Sequence, residues 1–143
     1  MPQSTRAKQL YSRWMEMWNG DLDAATEIFA EDCVAHPAPT TIGEPPVYRG
    51  PDELRRLVEQ GRAIFRDVTF RALDEPIVEG DRLACRWTCE GTYLGGMPGA
   101  STEPGTSITF GGIDVWRLEN GKVAEYWVAS DGLHLMAQLG VGG

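Results

Sequence analysis

Two aspartates and a histidine stand beside runs of aromatic residues, where they could move protons. Asp131 closes the segment Val123-Ala124-Glu125-Tyr126-Trp127-Val128-Ala129-Ser130. An acid at the end of an apolar strand points to a carboxyl group inside a pocket. Among Phe110, Trp127 and other apolar groups it loses hydration, which disfavours the ionised form and raises its proton affinity toward neutral pH. A general acid or base needs that property. The same residue can also cap the short segment Gly132 to Leu139. Asp114 is the second carboxylate, two places from Trp116, where a hydrogen bond to an indole N–H or to Arg86 would be its structural role. His36, stopped by Pro37 at the mouth of a short strand, is the histidine with a view of the pocket, since His134 sits in the terminal segment. Asp131, Asp114 and His36 are therefore the candidate catalytic residues, and Glu125, nearer the turn, reads as a rim charge.

Aromatic residues supply the candidate binding surface. Tyr11 and Tyr93 can donate hydrogen bonds to a substrate carbonyl. Trp14, Trp18, Trp87, Trp116 and Trp127 are five tryptophans in 143 residues, more than a core of this size needs. Together with Phe110 they point to a flat aromatic or polycyclic ligand, because rings stack on rings.

These groups need a scaffold, and its clearest element is a hairpin. Asn120-Gly121 lies between two apolar runs, and both residues tolerate positive φ, so Ser107 to Leu118 and Val123 to Asp131 read as its strands. Counting outward from that turn sets Glu119 opposite Lys122, Trp116 opposite Glu125, Asp114 opposite Trp127 and Phe110 opposite Asp131. Side chains alternate, so Phe110, Asp114, Trp116, Glu125, Trp127 and Asp131 share one face, and Ile113, Val115, Arg117, Ala124, Tyr126 and Val128 the other. Both faces are substantially apolar. One should line a core or cavity, and the other should meet a second sheet or subunit, which predicts a homodimer through the outer sheet face. Gly111-Gly112 is the place where a bulge would shift this register.

Upstream, Gln3 to Asn19 reads as an amphipathic helix with Ala7, Leu10, Tyr11, Trp14 and Trp18 on one stripe. Asp21 can cap a short second helix through Phe29, Cys33 to His36 forms a short strand, and Pro51-Asp52 opens a third helix over Glu53 to Phe65. Val68 to Glu79 and Arg82 to Tyr93 read as two strands, the latter with Leu83, Cys85, Trp87, Cys89 and Tyr93 facing inward. Ala38 to Gly50 and Leu94 to Gly105 read as loops, the first of a length that often covers a site. Helices followed by a meander of strands predict an α+β fold in one domain, residues 1–143, with helices on one face of a curved antiparallel sheet.

Composition limits the partners. The formal charge of −8 argues against nucleic acid, whose phosphates need a basic face. Arg55, Arg56, Arg62 and Arg66 interleave with Glu53 and Glu59 as a solvated helix face. No apolar run has membrane-spanning length and no secretory signal is visible, which predicts a soluble cytoplasmic protein. Cys33, Cys85 and Cys89 read as reduced core thiols, and no spacing of Cys and His proposes a metal.

Taken in order, Asn19-Gly20-Asp21-Leu22-Asp23, Ala35-His36-Pro37, Arg86-Trp87-Thr88, Gly91-Thr92, and Asp114 through Asp131 with Gln138-Leu139-Gly140 resemble the SnoaL-like polyketide cyclases. These belong to the nuclear transport factor two-like superfamily of cone-shaped α+β barrels. The resemblance spans roughly residues 5 to 140. It implies a conical pocket between helices and a bent sheet, a homodimer through the outer sheet face, and a hydrophobic polyketide-like substrate. It further implies that an aspartate matching Asp131 acts as acid and base in an intramolecular aldol ring closure, without metal or cofactor, with a place in antibiotic biosynthesis. Tyr93 departs from the family, where histidine is common, as does Gly99 to Gly105. Two other readings stand beside this one. A limonene-type epoxide hydrolase would use Asp114 and Asp131 in an Asp-Arg-Asp set, although no Arg-x-Asp pair stands on the middle strand; a non-catalytic dimer would only bind its ligand.

Overall fold

The computed structural model describes residues 3–37 and 46–141. The first helix, α1 (Gln3–Trp18), buries Ala7, Leu10, Tyr11, Trp14 and Met17, which recur at spacings of three and four and so form one stripe. After a 3-10 turn over Leu22–Ala24 comes a single helical turn, α2 (Ala25–Ile28), and Phe29 already opens strand β1 (Phe29–His36). The second helix is thus shorter than expected, and the Asp21 side chain makes no cap bond. A two-residue strand β2 (Tyr48–Arg49) precedes α3 (Gly50–Arg62). Pro51, Asp52 and Glu53 in its first turn and Arg62 in its last suit the helix dipole. The loop expected over Ala38 to Gly50 lies partly outside the described residues.

Next comes a meander: β3 (Phe65–Ala72), β4 (Ile77–Glu79), β5 (Arg82–Tyr93), β6 (Ser107–Glu119) and β7 (Lys122–Ser130), closed by helix α4 (Gly132–Leu139). The strand expected over Val68 to Glu79 is divided in two around Asp74-Glu75-Pro76, and Phe65 belongs to β3 rather than to α3. The strand order is β2-β1-β7-β6-β5-β3, with β4 also on β5. All pairings are antiparallel except that of β1 with β7. The result is an α+β fold in which the helices cover one face of a curved, open, mostly antiparallel sheet.

One residue decides which way the last strand faces. The hairpin turns at Asn120 (φ 54°) and Gly121 (φ 77°), with Glu119 opposite Lys122 and Leu118 opposite Val123. Arg117 is then opposite Glu125, so Val123 and Ala124 together face Leu118 in a β-bulge. Beyond it Trp116 pairs with Tyr126 and Asp114 with Val128. The uninterrupted count from the turn is therefore off by one residue, and a slip of one reverses every side chain. Tyr126 and Val128 turn to the helices with Asp114 and Trp116, and Glu125 and Trp127 turn away. Gly111 and Gly112, expected to be the weak point, pair regularly with Thr88 and Trp87.

The far end of β6 is finished differently. Pairing with β7 ends at Gly112–Ser130, after which the Asp131 N–H donates to the Gly111 carbonyl. Further along, the Gln138 side chain of α4 accepts from the Thr109 N–H at 3.0 Å and donates to the Thr109 carbonyl at 2.7 Å. The connection from β5 to β6 is tied to the same helix: the N–H groups of Ser101 and Thr102 donate to the Leu139 carbonyl.

Candidate active site

Asp114, on β6 and 1 % exposed, is the one charged or polar residue buried in the core among those described. Both of its oxygens are occupied. Oδ1 accepts from the Tyr126 hydroxyl on β7 at 2.7 Å and from Trp87 Nε1 on β5 at 3.1 Å. Oδ2 accepts from the Tyr11 hydroxyl at 2.8 Å and from Trp14 Nε1 at 3.1 Å, both on α1. A carboxylate has about four acceptor directions, and here four neutral donors fill them. Arg86 is not among these partners; it pairs with Asp74 on the exterior.

Two opposed effects set the proton affinity of this carboxyl. Removal from water penalises the charge, whereas the bonds from Tyr126, Tyr11, Trp14 and Trp87 favour it. Burial wins, and the pKa of Asp114 is pushed up to about 6. Burial beside that carboxyl also drives the Tyr11 and Tyr126 hydroxyls far above the ordinary tyrosine value, so both remain protonated phenols. Trp87 reaches Asp114 because its cross-strand neighbour is glycine: a Cβ on Gly112 would stand 2.5 Å from Trp87 Cζ2.

A cavity of about 190 Å³ opens beside this group. Its walls include Trp18, Leu57, Phe70, Phe110 and Val128, and its polar lining includes Asp114, Tyr126, Trp87 and Ser130. Of the residues singled out in the sequence, Asp114, Trp18, Trp87 and Phe110 meet here. Tyr11 and Trp14 reach Asp114 from behind without lining the cavity. Trp116 is wholly buried in the core against Tyr11, Trp14 and Phe29, its indole N–H without a partner among the described residues. Tyr93 belongs to a separate cluster with Phe65, Ile108 and Leu139, and its hydroxyl accepts from the Met97 N–H at 3.0 Å.

The other three lie away from the cavity. His36 and Trp127 are on the outer sheet face, their rings stacked 5.6 Å apart at 16°, and His36 Nε2 lies 2.8 Å from Glu125 Oε2. The expected sharing of one face by Trp127, Asp114 and Trp116 is thus reversed by the bulge. Asp131 is exposed and caps α4, its Oδ1 accepting from the His134 N–H at 3.2 Å. Its strand ends one residue earlier than the alternation implied, and the following helix claims the side chain. Regular alternation from the turn puts Tyr126 on the opposite face, so sequence pattern alone does not bring it to the cavity it lines. The signal was present in Val123-Ala124, two adjacent apolar residues that break the alternation. Among the described residues, no three His, Cys, Asp or Glu side chains gather in a metal-binding arrangement.

No curated protein matches the chain. Solved structures do. IdmH from Streptomyces antibioticus, a candidate polyketide cyclase, is 26% identical with a TM-score of 0.78 over 94% of this chain and 99% of its own. TsrD from Streptomyces laurentii is 25% identical with a TM-score of 0.76 over 95% and 96%. A Catenulispora acidiphila protein of ketosteroid isomerase-like fold, 16% identical, shares the architecture with a TM-score of 0.71 over 92% of each chain. The sequence model of the SnoaL-like polyketide cyclases matches residues 8–139, and the chain belongs to that family.

Proposed function

We propose that this protein closes a ring in a polyketide-like aromatic or polycyclic intermediate by aldol chemistry, with Asp114 rather than Asp131 as the acid–base group and no cofactor. The observation that carries this reading is a desolvated carboxyl of raised pKa at an aromatic-walled cavity. As a carboxylate Asp114 takes the proton from a carbon next to a ketone, and the C–H electron pair becomes the enolate. The enolate carbon attacks a second carbonyl of the same molecule, and the proton held by Asp114 passes to the alkoxide oxygen. The carboxylate is regenerated and the proton balance closes, so the step itself needs no oxidant or metal. General base catalysis of this kind is worth about 10² to 10⁴ in rate.

The first half of that cycle is measurable without the natural substrate. Deuterium incorporation beside the carbonyl of 2-tetralone, a benzene-fused cyclic ketone, should be accelerated by the wild type and rise with pH to a plateau above about 6. Asp114→Asn should lose the acceleration by about 10² or more. Exchange that persists within a few fold would remove Asp114 from the chemistry, whereas no acceleration by the wild type would favour a protein that only binds its ligand, for which the four filled acceptor directions of Asp114 are the supporting observation.

The homodimer belongs to the same proposal. The outer face of the sheet presents Ile113, 44 % exposed, with Val115 and Trp127, instead of the Tyr126 and Val128 expected there. A monomer in light scattering at micromolar concentration would reject it.

A further inference from the structure

The two oxygens of Asp114 are not equivalent. The donors to Oδ1, Tyr126 and Trp87, both line the cavity, whereas the donors to Oδ2, Tyr11 and Trp14, belong to α1 and do not. A substrate therefore meets Asp114 from the Oδ1 side and finds that oxygen already accepting two bonds. For the carboxylate to take a proton from carbon, one donor must leave. The indole N–H of Trp87 is held on a ring packed against Gly112, Phe70 and Phe110. A phenolic O–H, in contrast, turns about a single C–O bond without moving its ring.

We propose that Tyr126 is a catalytic residue whose hydroxyl exchanges partners on substrate binding, leaving Asp114 Oδ1 to donate to the substrate carbonyl oxygen. This rests on the acid–base reading of Asp114 and adds the electrophilic half of the reaction. The exchange does two things at once. It uncaps Oδ1 and makes it a stronger base, because a lost donor no longer stabilises the carboxylate. It also places an O–H donor on the oxygen where negative charge gathers as the α-proton leaves. In the enolisation the C–H bond breaks and an O–H bond forms on Oδ1, while the C–H electron pair moves into the enolate. The Tyr126 proton stays on its own oxygen as a hydrogen bond. When the alkoxide of the new ring takes the Asp114 proton, the Tyr126 hydroxyl returns to Oδ1.

Tyr11 is the internal control. It offers Asp114 the same phenolic bond at nearly the same distance, but on the oxygen turned away from the cavity. If the phenols only steady the carboxylate, Tyr11→Phe and Tyr126→Phe should slow 2-tetralone exchange equally. If Tyr126 also serves the carbonyl, its plateau rate should fall by about 10² to 10³, as for loss of an oxyanion donor, against a few fold for Tyr11→Phe. Both variants lose one donor to the ionised form, so both pH profiles should shift upward alike, and only the plateau separates them.

Equal small losses from the two variants, with Asp114→Asn inactive, would overturn the role of Tyr126 and leave Asp114 standing. Activity in Asp114→Asn, or no exchange by the wild type, would overturn both. Melting curves accompany each rate. Should Tyr126→Phe not fold, 3,5-difluorotyrosine placed at 126 keeps the ring and hydroxyl while making the donor more acidic. It should change the plateau rate severalfold, and a plateau matching wild type would count against the proposal.

Discussion

The two sides of strands β6 and β7 carry similar ingredients with opposite results. On the inner face a carboxylate, Asp114, sits among tryptophan and tyrosine, and every donor to it is neutral. On the outer face a carboxylate, Glu125, sits beside Trp127, but its partners are His36 and Arg117, and Arg82 lies over the Trp127 ring at 5.6 Å. Burial raises the proton affinity of the first. Hydrogen bonding to His36 and the nearby Arg117 charge lower that of the second. The side chains at the two sites differ less than their access to water and cations. One face is suited to holding and releasing a proton near neutrality, and the other keeps a permanent charge.

The largest test of this contrast is to exchange the faces. Inserting one alanine between Ala124 and Glu125 sets Glu125 opposite Trp116 and Trp127 opposite Asp114, which turns both toward the helices and exposes Tyr126. An inward carboxylate without its cations costs several kcal/mol, a large share of an ordinary domain stability of about 5 to 15 kcal/mol. Circular dichroism should show no cooperative melt. A folded, active insertion variant would mean that the register of β7 does not set the face.

Next in size is the pH dependence of stability. The ordinary carboxyl value is 3.8, and in the folded protein that of Asp114 is about 6. Between these the native state keeps a proton that the unfolded chain has released, so stability from this group is full below about pH 4 and falls as pH rises to 6. The loss is about 3 kcal/mol. Glu125 has the opposite sign, its contribution being lost as pH falls below the ordinary carboxylate range. Urea midpoints between pH 4 and 7 should decline for the wild type and flatten in Asp114→Asn; an unchanged slope in the variant would assign the titration elsewhere.

Gly112→Ala probes the packing on the inner face alone. Its Cβ would meet Trp87 Cζ2 at 2.5 Å and the Ala129 carbonyl at 2.7 Å, so the indole must move. A cost of about 1 to 3 kcal/mol is expected. Withdrawing the Trp87 N–H from Asp114 should slow 2-tetralone exchange roughly tenfold. A melting temperature and rate equal to wild type would show that Trp87 has room to spare. The smallest effect is expected at Asp131, outside both clusters. Asparagine caps a helix about as well as aspartate, so Asp131→Asn should stay within about 0.5 kcal/mol and a few fold in exchange rate. A large loss of rate would return Asp131 to the chemistry.

The sequence carried the hairpin, α1 and its stripe, the inward face of β5 and the α+β class, because each rests on a repeated local pattern. It also carried Asp114 as a residue of interest and an indole N–H as its partner. What local pattern could not supply was the sense of β7, since one bulged residue reverses every later position while leaving the turn unchanged. Hydrophobic neighbours along the chain mark Asp131 and Asp114 alike. Burial depends on the next element, and α4 recruits Asp131 as a cap while α1 lays Tyr11 and Trp14 across Asp114. His36 stands at the mouth of β1 next to Pro37, which lines the cavity, but its own ring lies on the outer face against Trp127.

The Gln138–Thr109 pair bears on how molecules of this protein meet one another. An open sheet ends in unpaired N–H and C=O groups that can template further strands from other molecules. Here β7 stops short of β6, and the primary amide of Gln138 offers Thr109 the donor and acceptor that a neighbouring strand would have offered. At one outer edge β2 has only two residues. At the other, β3 is interrupted between Arg66 and Thr69, with Asp67 at φ 55° and charged side chains at Arg66, Asp67 and Arg71. The sheet can therefore stay open around a cavity at high protein concentration without offering a long, flat, uncharged margin for intermolecular stacking.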